Sequence, residues 1–595
     1  FLLNSPNSEL SLGLGLSSSA MPLLNRLVQQ GQITRVVAPN QNLKGALEDN
    51  WRPGITLILV GATGAMTRLI APLIRGKELD PAVLVLHPRG DFIIPLLGGH
   101  AGGAEQRAHE LAGLLGGQAV ITGACAHDGR IPLDAFGEGW GWTRSGPVEQ
   151  WRQLMTRYAG GATIGIHQVS GCAAIWNDVE EQLQRLGEAD QADMRISSKV
   201  WNGCQWHPHT LWIGVGCERN TSLSLIERAI ADALSSSGLA VEAVAGLTSA
   251  DRKADEPALL ELSQKRGWPL RTYPANRLAT VEVPTPSELV RLEMGTASVA
   301  EAAALLAAGE QGCLRQPKRI SQSQSHEQGA VTVAIAEAID PYAPQKGELH
   351  LIGSGPGDPS LLSGDARSAL SRCCAWVGYS LYLDLLEPLR RADQIRFEGQ
   401  LTREWDRCAE ALRLAQQGAK VALISSGDSG IYGMAGLALE LLLQQPEPSR
   451  PDFVVHPGIS ALQLAAARAG APLMHDFCTV SLSDRLTPWP VIEKRLEAAA
   501  AGDFVIALYN PRSKGRDWQL GRARDILQAC RPDNTPVTLA RQLGRKDESV
   551  QLTTLSELNP ADVDMLTLVL VGNSTSKQSD GWFVTPRGYP GASLQ

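Results

Sequence analysis

Four short segments in the last third of the chain carry the residue types that hold a ligand against main chain. His350-Leu351-Ile352-Gly353-Ser354-Gly355-Pro356-Gly357-Asp358-Pro359 is an apolar run ending in a glycine-rich turn, and glycines there let backbone approach a ligand closely. Gly427-Asp428-Ser429-Gly430-Ile431-Tyr432-Gly433 follows the apolar run Val421–Ser426. Pro457-Gly458-Ile459-Ser460-Ala461 follows Val454-Val455-His456, and Tyr509-Asn510-Pro511-Arg512 follows Phe504–Leu508. Loops after strand C-termini form the ligand crevice of an open α/β sheet, so four such loops point to one shared site. A dinucleotide fingerprint would need a third glycine at 358, where Asp358 stands, and an acidic residue in Ala375-Trp376-Val377-Gly378-Tyr379, where there is none. A nicotinamide-dependent oxidoreductase is the reading this spacing argues against.

Earlier in the chain, Gly98-Gly99-His100-Ala101-Gly102-Gly103 opens an amphipathic helix from Ala104 to Leu115. The first N–H groups of a helix lack intrahelical partners and attract anions. His100 titrates near neutrality, which suits a general base as well as a turn-capping side chain. Glu218, Arg219, Asp251, Lys253 and Glu256 sit in two charged loops; Arg219 and Lys253 suit carboxylate contact, against the plainer reading of solvated charges. Cys204-x-x-His207-x-His209 brings soft and imidazole ligands close together, but no fourth ligand stands at a suitable spacing, so no resident metal is expected.

The elements that must position these residues alternate. Apolar strands at Ile55–Val60, Ala82–His87, Asp91–Leu97 and Ala119–Thr122 enclose helices at Met66–Ile74 and 104–115, which implies parallel βαβ units. From about His127 to Trp206 the pattern weakens and tryptophan accumulates. A further unit starts at Leu211–Cys217 and runs through helix Ser222–Leu234, strand Val241–Gly246, helices Pro257–Arg266 and Val299–Ala308 and a closing strand at Thr332–Ala336. Gln316–Gly329 and Ile339–Gly347 read as linkers from their Ser, Gln and Pro content. The expected organisation is α/β with several domains: 1–126, a middle domain 127–210, 211–337, a linker 338–348, and 349–595 as two α/β subdomains. No internal repeat of 20–50 residues is visible.

Composition sets the outer limits. The 595 residues exceed one domain. A net charge of −8 on a chain only 19% charged leaves no basic stripe for nucleic acid. The longest apolar runs fall short of the ~18 residues a membrane helix needs. No Lys or Arg precedes Arg26, so a signal peptide lacks its basic start. The ten cysteines are scattered, which fits reduced thiols in a cytoplasmic enzyme. The first residue is Phe1 and not Met, so the true N-terminus is expected to lie elsewhere.

The four loops, with Tyr379-Ser380-Leu381-Tyr382-Leu383, Ser425–Met434 and Leu508–Lys514, closely resemble the tetrapyrrole methyltransferases, and within them the precorrin-3B (cobalt-factor III) carbon-17 branch. The resemblance covers about 349–584. It implies a two-domain methylase that takes S-adenosylmethionine as cosubstrate in the cleft between its domains. It assigns donor contacts to Gly355, Pro356, Gly357, Asp428, Ile431, Tyr432, Ser460, Ala461, Tyr509 and Asn510, and substrate contacts to Tyr379 and Tyr382.

Gly61–Arg68, Ile70-Ala71-Pro72, Lys77, Asp80-Pro81-Ala82-Val83 and Pro95–Ala104 resemble the N-terminal part of cobalt-precorrin-5A hydrolase. Gly214–Arg219, Asp251–Glu256 and Gly295–Ala304 resemble its C-terminal domain, while Glu105 stands where that family commonly has Asn. This resemblance implies hydrolase-like α/β domains ahead of the methylase. Gly99, Gly102, Gly103, Arg219 and Lys253 would then meet the acetate and propionate carboxylates of a corrinoid, and His100 would be the base for water attacking a lactone.

Together these readings describe a bifunctional corrin-biosynthesis enzyme: carbon-17 methylation with ring contraction, and lactone opening with acetaldehyde release. The alternative is a methyltransferase whose first half only binds tetrapyrrole. Cobalt is expected only inside the substrate. The expected partners are the tetrapyrrole, a transiently docked carbon-11 methyltransferase, and a second copy with which the methylase half could pair, with no nucleic acid and no membrane.

Overall fold

The computed structural model describes residues 10–76, 79–100, 102–122, 130–176, 183–399, 403–513 and 515–592. Lys77, Ala101 and Lys514, each part of a quoted motif, lie outside the described residues.

Ile55–Val60 is buried at every position, as a strand covered on both faces must be. Leu57 and Leu59 point into one core layer and Ile58 and Val60 into the other, following the two-residue period of a strand. Around it lies a six-stranded sheet in the order Arg35–Val37, Leu10–Gly15, Ile55–Val60, Ala82–Leu86, Phe92–Leu97, Gln118–Ala119. Its first four strands are parallel, and Phe92–Leu97 runs antiparallel to Ala82–Leu86. This reversal corrects an all-parallel expectation. It follows from the short link 87–91, too short for a crossover helix.

The tryptophan-rich stretch forms a five-stranded sheet in which Cys204–His207 lies between Thr143–Ser145 and Met194–Ile196. Phe136, Trp142, Trp151 and Trp206 pack edge to face there, and Trp206 Nε1 donates to Leu133 O at 2.9 Å. Tryptophan here is core. That core is continuous with the last part of the chain through Leu349, Leu351, Cys374 and Val377.

Next comes a sheet in the order Leu270–Tyr273, Val244–Ala250, Leu211–Cys217, Ala330–Glu337, Cys313–Gln322. The strand expected at Val241–Gly246 begins three residues later, after a 3-10 turn at Val241–Ala243. The linker expected at Gln316–Gly329 is corrected more sharply. Cys313–Gln322 is an edge strand, antiparallel to Ala330–Glu337, with polar residues on its open face. Its Ser, Gln, Lys and Arg content is what a solvated edge carries.

The last part holds a fully parallel sheet, in the order Ile395–Gly399, Ala375–Tyr379, Lys420–Ser425, Glu348–Gly353, Asp452–His456. A second, mixed sheet contains Phe477–Ser481, Val505–Tyr509, Thr567–Val571, Pro536–Arg541 and Ser549–Thr554.

Candidate functional site

Strands Lys420–Ser425, Glu348–Gly353 and Asp452–His456 are neighbours, so their C-terminal loops leave the sheet side by side. Gly355 and Gly427 exchange backbone hydrogen bonds of 3.1 and 2.8 Å. Gly355 holds φ at +70° and Gly427 at +66°, which glycine adopts without strain. Both oxygens of Asp428 accept backbone N–H groups, from Gly430 at 2.9 Å and from Gly458 at 3.1 Å. Asp428 thus clamps the second loop to the third. Ser460 starts helix Ala461–Ala469 with a capping box shared with Gln463.

The second domain closes the other side. Tyr509 OH accepts the N–H of Leu462 at 3.2 Å, and the Tyr432 and Tyr509 ring centroids lie 5.1 Å apart. Burial raises the Tyr509 phenol, which is therefore a neutral hydroxyl at physiological pH. Asn510, at φ +53°, donates from Nδ2 to Ser481 Oγ at 3.1 Å. All ten residues that the resemblance assigns to the donor belong to these four neighbouring loops. Tyr379 and Tyr382 pack edge to face at 5.4 Å, and burial raises the Tyr382 phenol, which bonds Ser426 at the foot of the second loop.

The arrangement leaves room for a ligand. Ile431 and Tyr432 are 38% and 53% exposed despite being apolar or aromatic residues in a tight loop. Ser429 Oγ is buried with no hydrogen-bond partner. A cavity of about 530 Å³ opens beside Gly357–Leu361, walled opposite by Gly544, Arg545, Lys546 and Glu548. Arg545 and Lys546 were not picked out from the sequence; a Gly-Arg-Lys run after a buried strand was the available signal.

A second constellation surrounds His100. Its Nε2 lies 3.1 Å from Glu105 and its Nδ1 3.5 Å from Asp134. Asp134, and after it Glu105, raises the imidazole to about 10, so it is a cation at neutral pH with no free lone pair. The loop's own hydrogen bonds use several of its N–H groups. Ala104 N and Glu105 N already donate to Gly98 O and Gly99 O, and Gly103 N to His100 O. Asp134 comes from the middle domain, 34 positions on, and no spacing rule links it to His100.

Arg219 and Lys253 also have partners. Arg219 Nη1 bonds Asp255 at 2.6 Å, and Lys253 Nζ bonds the fully buried Glu256 at 3.2 Å. Both cations expected to grip substrate are ion-paired to carboxylates of the 251–256 loop. In the Cys-x-x-His-x-His segment, His207 contacts Ser145 Oγ and Ser197 O, and His209 contacts Val244 O and Lys346 Nζ. Burial pushes the Cys204 thiol up to about 12. These ligand types are spent on packing and hydrogen bonds. Among the described residues, no helix is long and apolar enough to cross a membrane.

Comparison with known proteins assigns three stretches of the chain to families. Residues 348–559 match the tetrapyrrole (corrin/porphyrin) methylases, 45–125 the cobalamin synthesis G N-terminal family and 211–336 the cobalamin synthesis G C-terminus. A probable cobalt-factor III C(17)-methyltransferase of Salmonella typhimurium is 49% identical over 241 residues, 40% of this chain and 99% of that protein. A precorrin-3B C(17)-methyltransferase of a Sinorhizobium species is 42% identical over 42% of this chain and 99% of its own length. The crystal structure of the methyltransferase CobJ is 37% identical, covering 40% of this chain and all of that one, with a TM-score of 0.39. The chain belongs to the tetrapyrrole methylases, and it carries both cobalamin synthesis G domains ahead of its methylase. Its place is in cobalamin biosynthesis.

Proposed function

We propose that the C-terminal part transfers a methyl group from S-adenosylmethionine to carbon 17 of a precorrin-3B or cobalt-factor III type tetrapyrrole, coupled to ring contraction. The observation that carries this is the joining of four strand-end loops into one cleft, with Tyr432 and Tyr509 meeting across the domain boundary. The identity to carbon-17 methyltransferases over nearly their full length supports it. The donor supplies an electrophilic methyl on a sulfonium centre. The chain contributes position: main chain at Gly355 and Gly427 allows close approach, and the Asp428 clamp fixes the loops in which Ile431 and Ser460 sit. The cavity flanked by Arg545 and Lys546 suits a substrate rich in acetate and propionate groups. Incubating the whole protein with cobalt-factor III and S-adenosylmethionine should give a product heavier by one methyl, and S-adenosylhomocysteine should suppress it. No mass gain would refute the reading.

The first part we read as a lactone-opening hydrolase acting on a cobalt-precorrin-5A type intermediate with release of acetaldehyde. In this geometry His100 supplies positive charge near a developing oxyanion, and Glu105 or Asp134 accepts the proton of water. One observation favours a second reading, in which this half only binds tetrapyrrole: both ring nitrogens of His100 face carboxylates of the chain itself. Acetaldehyde release from cobalt-precorrin-5A separates the two.

A further inference from the structure

The helix that follows the His100 loop also forms the floor of the methylase. Ala104–Leu115 packs on the methylase helix Gly364–Arg372. The approach is close enough that a Cβ on Gly113 would meet Ser368 N at 2.8 Å, and one on Gly364 would meet Gly113 O at 2.9 Å. Gln106 crosses the boundary, donating from Nε2 to Ser371 O at 2.8 Å.

A charged path starts there. Glu110 accepts from Arg107 Nη1 at 2.9 Å and lies 3.5 Å from Arg372 Nη1. Arg372 donates to both oxygens of Glu348, at 2.5 Å each. Glu348 meets His350 Nε2 at 2.9 Å, His350 Nδ1 meets His456 Nε2 at 2.9 Å, and His456 Nδ1 meets Asp365 at 2.5 Å. The His350 and His456 rings stack with centroids 5.2 Å apart, so the contacts run unbroken from Glu348 to Asp365. His456 leads directly into Pro457-Gly458, whose N–H holds Asp428 in the cleft. The side chains of Glu110, His350 and His456 are 6%, 9% and 7% exposed, so an unpaired charge on any of these three would be costly.

We propose that Glu110, a residue of the first domain, is a positioning residue for the methyl-donor cleft. Arg372 is held from two sides, by Glu348 within the methylase and by Glu110 across the boundary. Neutralising Glu110 removes one side and lets the guanidinium, Glu348 and the histidine pair re-seat, and with them the loop 457–460. Coupling of this kind is reciprocal: donor binding tightens helix Ala104–Leu115, and that helix in turn sets donor affinity. The inference rests on reading the four-loop cleft as the donor site.

The test uses the full-length chain and S-adenosylhomocysteine. In the wild type, adding it should slow amide exchange in 104–115 as well as in 353–361 and 456–461. Glu110→Gln should weaken its binding about 5- to 20-fold by calorimetry, a typical size for coupling between sites. KM for S-adenosylmethionine should rise by the same factor with kcat within about twofold, and Glu110→Asp should recover most of the loss. A role confined to stability would lower the melting temperature without this split. Protection confined to the methylase, or unchanged affinity in a folded Glu110→Gln, would overturn the inference alone. A wild type that did not bind S-adenosylhomocysteine would overturn the donor reading and the inference with it. If Glu110→Gln did not fold, the wild-type exchange measurement would still decide.

Discussion

Tyr432 and Tyr509 come from different domains of the methylase and meet with ring centroids 5.1 Å apart, inclined by 53°. Tyr432 does so from a left-handed backbone at φ +52°, while half exposed. A tyrosine in that conformation carries a strain of about 1 kcal/mol or more, offset here by the ring contact and a 3.4 Å hydrogen bond from its OH to Thr479 Oγ1. The pair is one of the points where the two domains touch over the cleft. Tyr432→Gly should therefore separate fold from function: relief of backbone strain keeps the melting temperature near wild type, and loss of the ring raises KM for S-adenosylmethionine about 2- to 10-fold, the size of one aromatic pair. A KM unchanged in Tyr432→Gly would place the donor elsewhere.

Gly357 sits under the facing loop of the second domain. A Cβ there would meet Gly544 O at 2.8 Å and Arg545 Cγ at 2.7 Å, with φ at +156°. Gly357→Val should thus wedge the domains apart and not merely narrow the donor site. Expected are a destabilisation of about 1–3 kcal/mol, the range for overpacking, and weaker S-adenosylhomocysteine binding. Wild-type melting and affinity together would contradict this placement.

Acid should undock the first domain. Burial alone would raise the Glu110 carboxyl, but Arg372, Arg107 and Lys420 hold it at about 2, and Arg372 and His350 hold Glu348 well below the usual carboxylate range against the same burial. A carboxyl depressed on folding contributes stability above about pH 4.5 that is lost as pH falls toward 2. Calorimetry between pH 7 and pH 3 should show the melting temperature falling through this window. In Glu110→Gln the fall should be shallower, by on the order of 2 kcal/mol at the acid end. An equally steep fall in the variant would mean that Glu110 is not the responsible group.

Much of this was legible before any coordinates. Ile55–Val60, Ala104–Leu115, Pro257–Arg266 and Val299–Ala308 fall where apolar periodicity put them, because each is a complete local pattern with its own stop signal, such as Gly116 or Gly267. The four loops were legible as a group because each follows a continuous apolar strand. What escaped were relationships across domains. Asp134 meets His100, and Glu110 meets Arg372, through contacts 34 and 262 positions apart, and nothing in one strand or helix period encodes those. The edge strand Cys313–Gln322 read as a linker because an exposed edge and a linker use the same polar residues.

The last prediction concerns the sign of charge at His100. Asp134 and Glu105 raise its pKa from 6.5 to about 10. A histidine raised on folding contributes stability that is complete below about pH 6.5 and is lost as pH rises through about 10. His100→Ala should accordingly destabilise the protein most at pH 6 and below, with the difference from wild type shrinking toward pH 10. For the hydrolase, a required imidazolium predicts acetaldehyde release that holds through pH 9 and declines with an apparent pKa about 10. A neutral histidine base predicts the opposite, a rate that rises over the same range. His100→Ala should cost on the order of 10²-fold in acetaldehyde release, the size of one electrostatic contribution to an oxyanion. Carbon-17 methylation should stay near wild type, because Glu105 and Asp134 lie outside the path from Glu110 to Asp428. Both products can be followed side by side in one reaction series. A rate rising toward pH 10 would restore the base, and loss of both activities would show that His100 serves the whole fold.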